Sequence, residues 1–522
     1  MFWYFYLLAV SGLALAGYIT INIILTAVLA AAVHVLSAFA AVENRFFQTI
    51  KFALLGAAAI ALLWKESYLP SVSMLSEFLL NPTTRPSTAY LLNFAWQSLN
   101  FTMLAGAATL FAGSFFVYRK KPFAFALSCY IILTAAWISQ PVQIAANVDK
   151  GILENFYKKE SSRIVKFSKP DPGTPPFDII ILHVCSLSWS DIKDAKVDAL
   201  PFLNKFNYVF TDFSAACSYS GPSALRVLKS SCGQLPHPLL YADSPPGCYL
   251  LDNLRAAGYK AYTMFNHDGK YADFRSSVPK YGHAEPPIDI SDLPVTTRMF
   301  DDSPMSADAA VLRKFWRLRS ASNEPRAVLY YNTANLHIGA HNTGEPRNPD
   351  DIAAYGERLR TMFAQFEEFF EVIKKSGRNA VIVLIPEHGA ALTGTKMQPK
   401  DVREIPLPAI SVLPMAVKLI GKSFPRENTK TQIITKPASL QALAWLLAEF
   451  LKENPYEASA PSPEKIAAEI PVTEFAAENE NAAVLKVGFG YIYKQKGGHW
   501  APLPASVYIT PGTIPSAEDF SR

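Results

Sequence analysis

The sequence predicts an N-terminal membrane region of helices followed by an α/β/α sandwich with a mostly parallel sheet, and two patterns carry that expectation. Asp, Glu, Lys and Arg are absent before Glu43, between Arg85 and Arg119, and between Lys121 and Asp149, whereas the chain beyond residue 150 has ordinary globular composition. Beyond that point, short continuous apolar runs alternate with amphipathic stretches, as strands buried on both faces alternate with the helices that cover them. With 522 residues and 50% hydrophobic residues, the chain is too long for one ordinary core and unusually apolar for a wholly soluble protein.

Residues 1–148 are expected to form a transmembrane domain of about five helices, at 2–18, 20–41, 48–64, 97–118 and 122–141, each near the roughly 20 apolar residues that a bilayer core demands. Arg45 and Lys51 follow the second, and Arg119, Lys120 and Lys121 follow the fourth. By the positive-inside tendency both loops face the cytoplasm, which puts the large C-terminal part outside it. Ala14-Leu15-Ala16 resembles a signal-peptidase site, but no basic residue precedes it, so the first helix is read as retained.

Residues 149–176 read as a linker. Ile152, Leu153, Phe156 and Tyr157 share a helical face opposite Lys158 and Lys159, a pattern that suits a helix lying on a membrane surface. The Lys-Pro-Asp-Pro-Gly-Thr-Pro-Pro run after it marks a boundary. A globular domain is expected over 177–505, and a loose tail over 506–522.

Within that domain, "FDIIILHV" (177–184), "AVLYYNT" (327–333) and "NAVIVLIP" (379–386) read as buried strands. Helical patterns lie between them at 224–231, 248–258 and 353–377, the last ending in Lys-Lys and a glycine as helices often do. A further helix follows Ser439, and 482–503 reads as a hairpin turning at Gly497-Gly498.

In open α/β sheets functional groups collect at the carboxyl ends of strands. Cys185 follows the first run, His337 and His341 the second, and Glu387-His388-Gly389 the third. A thiol, a carboxylate and an imidazole arriving at one sheet edge form a zinc ligand set. A cysteine after a buried strand is more often a small core residue, but Cys185 leads into a polar Ser-Leu-Ser-Trp-Ser loop at that edge.

The stretch "SYSGPSALR" starts a helix at Gly221-Pro222, with free N–H groups and a positive dipole end aimed at whatever Ser220 holds. Two roles fit Ser220: a helix cap, the commoner one, or a nucleophile whose alkoxide a metal would favour. Cys185, Cys217, Cys232 and Cys248 all lie where oxidation is possible, and a Cys232–Cys248 bridge would be worth about 3 kcal/mol in the chain-entropy model. Spacing alone does not pair them.

Taken together, "VCSLSWSDI", "SYSGPSALRVLKSSCGQ", "PEHGAAL" and "REIPLPAI" give the chain a resemblance to the alkaline phosphatase and sulfatase superfamily, and within it to the BcsG family of cellulose phosphoethanolamine transferases. The resemblance spans essentially the whole chain. Cys185 and Glu387, where the wider superfamily uses a carboxylate and an aspartate, are features of the narrower family. It implies one zinc held by Cys185, Ser220, Glu387 and His388, with Ser220 transiently phosphorylated. It also implies active-site roles for Tyr219, His337 and Arg403, and a disulfide between Cys232 and Cys248. His337 would exchange protons with leaving or incoming oxygens, and Arg403 would neutralise phosphate. His267 and His341 are weaker substrate-binding candidates, and Trp189 reads as packing. His34, His183, His237, His283 and His499 have no partner nameable from sequence.

The implied donor is phosphatidylethanolamine, the acceptor a primary hydroxyl of cellulose, and the partners cellulose synthase subunits in a bacterial inner membrane, with the catalytic domain periplasmic. Two alternatives are the same chemistry on lipid A or another glycan, and a non-catalytic scaffold subunit. The intact Cys185, Ser220, Glu387 and His388 set argues against the scaffold. A sulfatase would carry a Cys/Ser-x-Pro-x-Arg run, which "SYSGPSALR" does not match. A net charge of +5 is too mild to imply nucleic acid, and no basic run with interleaved aromatics supports such a partner.

Overall fold

Among the described residues of the computed structural model, charge-poor, Ala- and Leu-rich stretches form the N-terminal helices Phe2–Leu15, Ile23–Ala38, Arg45–Glu66, Phe101–Lys120 and Pro122–Ile138. The structure describes residues 2–16, 18–38, 45–67, 76, 80, 101–139, 151–345, 352–421, 430–496, 500–510 and 512–521. The chain forms two compact units, Met1–Ala146 with Gly394–Lys400, and Asn147–Thr393 with Asp401–Arg522.

In the first unit Leu7, Val10, Leu133 and Ala136 pack into a small apolar core. Glu66 accepts from Asn22 N at 2.7 Å and Thr26 Oγ1 at 3.3 Å, tying the end of one helix to the start of another. Among the described residues one helix, Gln48–Glu66, is by itself long and apolar enough to cross a bilayer; Trp3–Leu15, Ile23–Val35 and Pro122–Ile138 are shorter apolar helices. The parts of the expected spans at 39–41, 97–100 and 140–141 lie outside the described residues.

The second unit is built on an eight-stranded sheet. Its strands are β1 (Phe177–Val184), β2 (Tyr208–Ser214), β3 (Lys260–Phe265), β6 (Ala327–Thr333), β8 (Asn379–Pro386), β9 (Val412–Ile420), β10 (Gln432–Ile434) and β11 (Ala438–Ser439). The order is β10-β2-β9-β8-β1-β6-β3, with β11 also on β2. A smaller sheet pairs β4 (Val295–Arg298) with β5 (Pro304–Ser306) and β7 (His341–Asn342). The central pairs β3–β6, β6–β1 and β1–β8 are parallel, while β9 runs antiparallel to both β8 and β2. Every residue of β1, β6 and β8 is buried, as their unbroken apolar runs require of strands covered on both faces.

Helices cover the sheet. Leu440–Lys452 and Leu250–Ala256 pack their apolar faces into the main core beside Phe210, Tyr330 and Val383, and Ile352–Ser376 buries Leu359, Met362, Phe366 and Ile373. That last helix stops at Gly377, whose φ of +74° only glycine adopts freely. The helix Ile152–Ser161 belongs to this unit: Tyr157 and Glu160 are buried, and Tyr157 OH donates to Glu478 at 2.5 Å.

Near the C-terminus, β12 (Ala476–Glu478), β13 (Ala482–Val487), β14 (Gly490–Gln495) and β15 (Ala501–Pro502) form a meander. The stretch 482–503 makes two hairpins where one was expected: β13 turns into β14 at Gly488-Phe489, and β14 pairs antiparallel with β15 across the connection that contains Gly497-Gly498. Val487 pairs with Gly490, and Gly488 supplies a φ of +58° for the tight turn. Residues 497–499 lie outside the described residues. The tail expected to be loose buries Val507, Thr513 and Phe520, and Lys193 Nζ donates to Thr513 at 3.1 Å.

Candidate active site and metal centre

β1 and β8 run parallel in register from Phe177↔Asn379 to Val184↔Pro386, so the residues that follow them emerge side by side. Glu387 N donates to Val184 O at 2.8 Å and Leu187 N to His388 O at 2.7 Å, which extends the pairing beyond the strands and locks Cys185 beside Glu387 and His388. The ligand-capable atoms of these three lie within 4.8 Å of one another, and all three are buried.

The loop after β1 turns through Ser186 at a φ of +65° and then caps the helix Trp189–Asp194. Ser188 accepts from Asp191 N, and Asp191 Oδ2 takes bonds from Ser188 N and Oγ and from Ala390 N, each at 2.8 Å for the bonds to Oδ2. Gly389 fits against this box because it has no side chain: a Cβ there would meet Ser188 Oγ at 2.7 Å and Asp191 Oδ2 at 3.0 Å. Trp189 is buried at the start of the helix, as packing.

Ser220 opens the helix Ser220–Leu228, one position inside it; Tyr219 is the N-cap residue, and no side chain caps the end. The cap role is therefore excluded. Ser220 Oγ instead lies 3.2 Å from His388 Nε2 and 3.5 Å from Cys185 Sγ. Pro222 sits in the first turn, where its missing donor costs nothing.

The protonation pattern of the cluster suits a cation. His388 Nδ1 donates to Gly389 O at 2.9 Å, which leaves the Nε2 lone pair facing Ser220. Burial and Arg403 hold that imidazole neutral, far below its ordinary range. Burial, with Glu387 adding to it, pushes the Cys185 thiol up to about 12, and burial raises Glu387 as well. Glu387 Oε2 is buried without a hydrogen bond, 3.7 Å from His388 Nε2. The Cys185 sulfur, His388 imidazole, Ser220 oxygen and orphaned Glu387 oxygen would make a four-donor set of the kind zinc takes, and a bound dication would reverse these shifts. The residues present therefore fit zinc.

Arg403 and Tyr219 flank the cluster. The Arg403 guanidinium lies 6.0 Å from the centre of the Tyr219 ring, and its Nη1 donates to Ala390 O at 3.4 Å. His337 stacks on Phe300 with centroids 4.7 Å apart and donates from Nδ1 to Ile338 O at 2.8 Å. Burial and the Arg403 charge bring its pKa down to about 4.

His267 is placed behind the cluster. Gly269 N donates to its Nδ1 at 3.1 Å, so Nε2 carries the proton and donates to Asn332 Oδ1 at 2.8 Å. Asn332 Nδ2 then donates to Glu387 Oε1 at 2.5 Å. His341 is not drawn into the cluster; it bonds Gly339 O at 3.2 Å and lies 3.5 Å from Asp302 Oδ1. Cys232 and Cys248 are joined in a disulfide.

Sequence reasoning missed Asn332 and His183. His183 lies between Tyr330 OH at 2.8 Å and Ser223 Oγ at 3.2 Å, and 3.8 Å from Glu387 Oε1. Each is a polar residue within an otherwise apolar strand, which was the available signal.

Residues 135–500 match the family described as the cellulose biosynthesis protein BcsG C-terminal domain, and residues 3–139 match the BcsG N-terminal domain. The cellulose biosynthesis protein BcsG of Escherichia coli (strain K12) is 30% identical over 548 residues, covering 96% of each chain. The protein of that name from Salmonella typhimurium is 32% identical over 354 residues, 67% of this chain and 62% of that one. Similar solved structures include the C-terminal periplasmic domain of EcEptC from Escherichia coli in complex with Zn, with TM-score 0.45, 12% identity, and coverage of 67% of this chain and 99% of that one. Another is the soluble domain of lipooligosaccharide phosphoethanolamine transferase A from Neisseria meningitidis, with TM-score 0.38, 14% identity, and coverage of 59% and 96%. With both family domains matched in order and a relative aligned over nearly its full length, the chain belongs to the BcsG family of cellulose biosynthesis proteins.

Proposed function

We propose that the protein is a zinc-dependent phosphoethanolamine transferase that moves phosphoethanolamine from phosphatidylethanolamine, through Ser220, to a primary hydroxyl of cellulose. The observation that carries this reading is that Ser220 Oγ turns away from capping its helix and toward His388 Nε2 and Cys185 Sγ. Cys185, Ser220, Glu387 and His388 would hold the metal, whose charge would favour the serine alkoxide and offset charge on the phosphate.

Ser220 Oγ bonds to phosphorus as the bond to the diacylglycerol oxygen breaks, which leaves phosphoethanolamine on the serine. Arg403 offsets charge on the phosphate oxygens. With Nδ1 committed to Ile338 O, His337 presents a neutral Nε2 that can accept the proton of the incoming sugar hydroxyl. Tyr219 closes the site beside Arg403. His267 acts through Asn332 on Glu387, and His341 supports its loop.

A lipid donor accounts for the charge-poor N-terminal third, which we read as a multi-pass inner-membrane domain presenting the catalytic domain to the periplasm, with cellulose synthase subunits as neighbours. The test is intact mass of the purified chain after incubation with zinc and phosphatidylethanolamine. The reading expects a zinc-dependent phosphoethanolamine adduct on wild type and none on Ser220→Ala. A zinc-loaded wild type that acquires no adduct and releases no diacylglycerol would overturn it.

A further inference from the structure

Tyr219 is flanked by opposite charges from consecutive residues. The Arg403 guanidinium lies toward its ring, while its hydroxyl donates to Glu404 Oε2 at 3.2 Å. The pair is held rigidly against the segment that carries Ser220. Ser218 Oγ donates to Arg403 O at 2.5 Å, and Asn479 Nδ2 donates to Ser218 Oγ at 2.7 Å and to Glu404 O at 2.9 Å.

Arg403 and Glu404 do not neutralise each other; no ion pair joins them among the described residues. Arg403 Nε and Glu404 Oε1 each stay buried without a hydrogen bond, with the Asn481 side chain and the Tyr219 hydroxyl the polar groups nearest the carboxylate, and Glu404 as a whole is only 5% exposed. A buried carboxylate oxygen without a donor is costly unless a ligand supplies one.

The surroundings favour a particular donor. Tyr271 lies near enough to Tyr219 for their hydroxyls to act on each other, and it meets Phe300 edge-on at 4.9 Å. Phe300 in turn stacks on His337. Tyr271, Phe300 and His337 thus form a run of touching rings, while the Tyr219 hydroxyl meets Glu404, and aromatic faces with a buried carboxylate form the common receptor for an organic ammonium. Phosphoethanolamine is a zwitterion whose phosphate and ammonium are separated by two carbons. Arg403 and Glu404, at neighbouring positions beside the nucleophile, match its two charges in order.

We propose that Glu404, with Tyr219 and the Tyr271–Phe300 aromatic pair, forms the subsite that receives the ethanolamine ammonium and so selects this headgroup over uncharged ones. The assignment rests on phosphoethanolamine being the group transferred. It makes Glu404 a specificity-determining residue, since its carboxylate touches the far end of the transferred group and not the reacting phosphorus.

The test compares O-phosphoethanolamine with ethyl phosphate, which has the same phosphate and two-carbon arm but no ammonium, by calorimetric titration of the zinc-loaded full chain. The readout is the ratio of the two affinities in wild type, Glu404→Gln and Glu404→Asp, with the adduct assay on phosphatidylethanolamine run in parallel. The expected result is a wild-type preference for O-phosphoethanolamine of about 10- to 100-fold, the range of a hydrogen bond to a charged group. Glu404→Gln should abolish that preference, and Glu404→Asp, which keeps the charge, should retain part of it. Equal wild-type affinities, or a preference that survives in Glu404→Gln, overturn the subsite even if the Ser220 adduct forms. A preference lost in Glu404→Gln establishes the subsite even if no adduct forms, in which case the transfer reaction is what fails.

Discussion

Replacing Asn332 with leucine removes a buried amide of nearly the same shape, and its effect follows from the hydrogen bonds that converge there. Asn332 Nδ2 donates to Glu387 Oε1 at 2.5 Å, and Asn332 Oδ1 accepts from His267 Nε2 at 2.8 Å. Leucine leaves both partners buried and unmatched, at about 1–3 kcal/mol each, so the metal-free domain should lose about 2–6 kcal/mol. The same bond favours the ionised carboxylate, so its loss raises Glu387 further and weakens it as a ligand. Removing a partner that orients a metal ligand typically costs 10- to 100-fold in metal affinity, about 1.4–2.7 kcal/mol. The assay is zinc competition against a chelator, with thermal melts in the presence and absence of zinc. Asn332→Asp is the informative companion. It places a second carboxylate against Glu387, so it should destabilise the metal-free protein and regain stability when zinc is added. Zinc affinity within twofold of wild type and an unchanged melt for Asn332→Leu would refute the idea that Asn332 holds Glu387 in place.

Gly389→Ala drives a methyl group into Ser188 and Asp191, so overpacking should cost about 1–3 kcal/mol and lower zinc occupancy by moving His388; an unchanged melt and metal content would contradict this. His237 is held neutral, down to about 4, by burial with Arg226 and Lys496 adding to it. The unfolded chain takes up that proton below its ordinary value near 6.5, so the stability His237 contributes is present above pH 6.5 and is lost as pH falls toward 4. A shift of that size is worth up to about 3 kcal/mol, so His237→Gln should flatten the fall in melting temperature between pH 6.5 and 4; an unaltered slope would count against it. Replacing both Cys232 and Cys248 with serine opens a loop of sequence separation 16 and should cost about 3 kcal/mol in chemical denaturation, whereas a neutral double variant would show the bridge adds nothing.

What could be read beforehand divides along physical lines. β1, β6 and β8 were legible because a strand covered on both faces must be apolar throughout, and Cys185 and Glu387-His388 were legible because they break that pattern at the strand ends. The reversal of β9 was not. An apolar run buried within a sheet reads the same in either direction, and only the pairing of Val381 with Leu419 and of Val209 with Ala416 decides it. The extra reversal at Gly488-Phe489 was missed for a related reason: a continuous β pattern over 482–495 does not show where it folds back, and only the pairing of Val487 with Gly490 does. Ser220 was ambiguous because a cap and a nucleophile occupy the same place in the chain. The start of the helix one residue earlier, with Tyr219 at the N-cap position, and the direction of the Ser220 hydroxyl separate them.

His183 and Asn332 were invisible as functional residues because their partners come from other strands. A lone polar residue in an apolar run is destabilising until the strand order is known, and here β1 lies between β6 and β8. That order brings Asn332 from one side within reach of Glu387 on the other, across the strand that carries His183. The result is a directed chain in which Gly269 N–H fixes the His267 tautomer, His267 Nε2–H fixes the Asn332 amide, and the amide holds one oxygen of Glu387. The other oxygen stays without a hydrogen bond, beside His388 Nε2. Both His267 nitrogens are committed within this chain, so His267 cannot also serve as a proton donor to substrate. In the proposed reaction the acid–base work beside Ser220 would then fall to His337, whose Nδ1 is tied to the backbone.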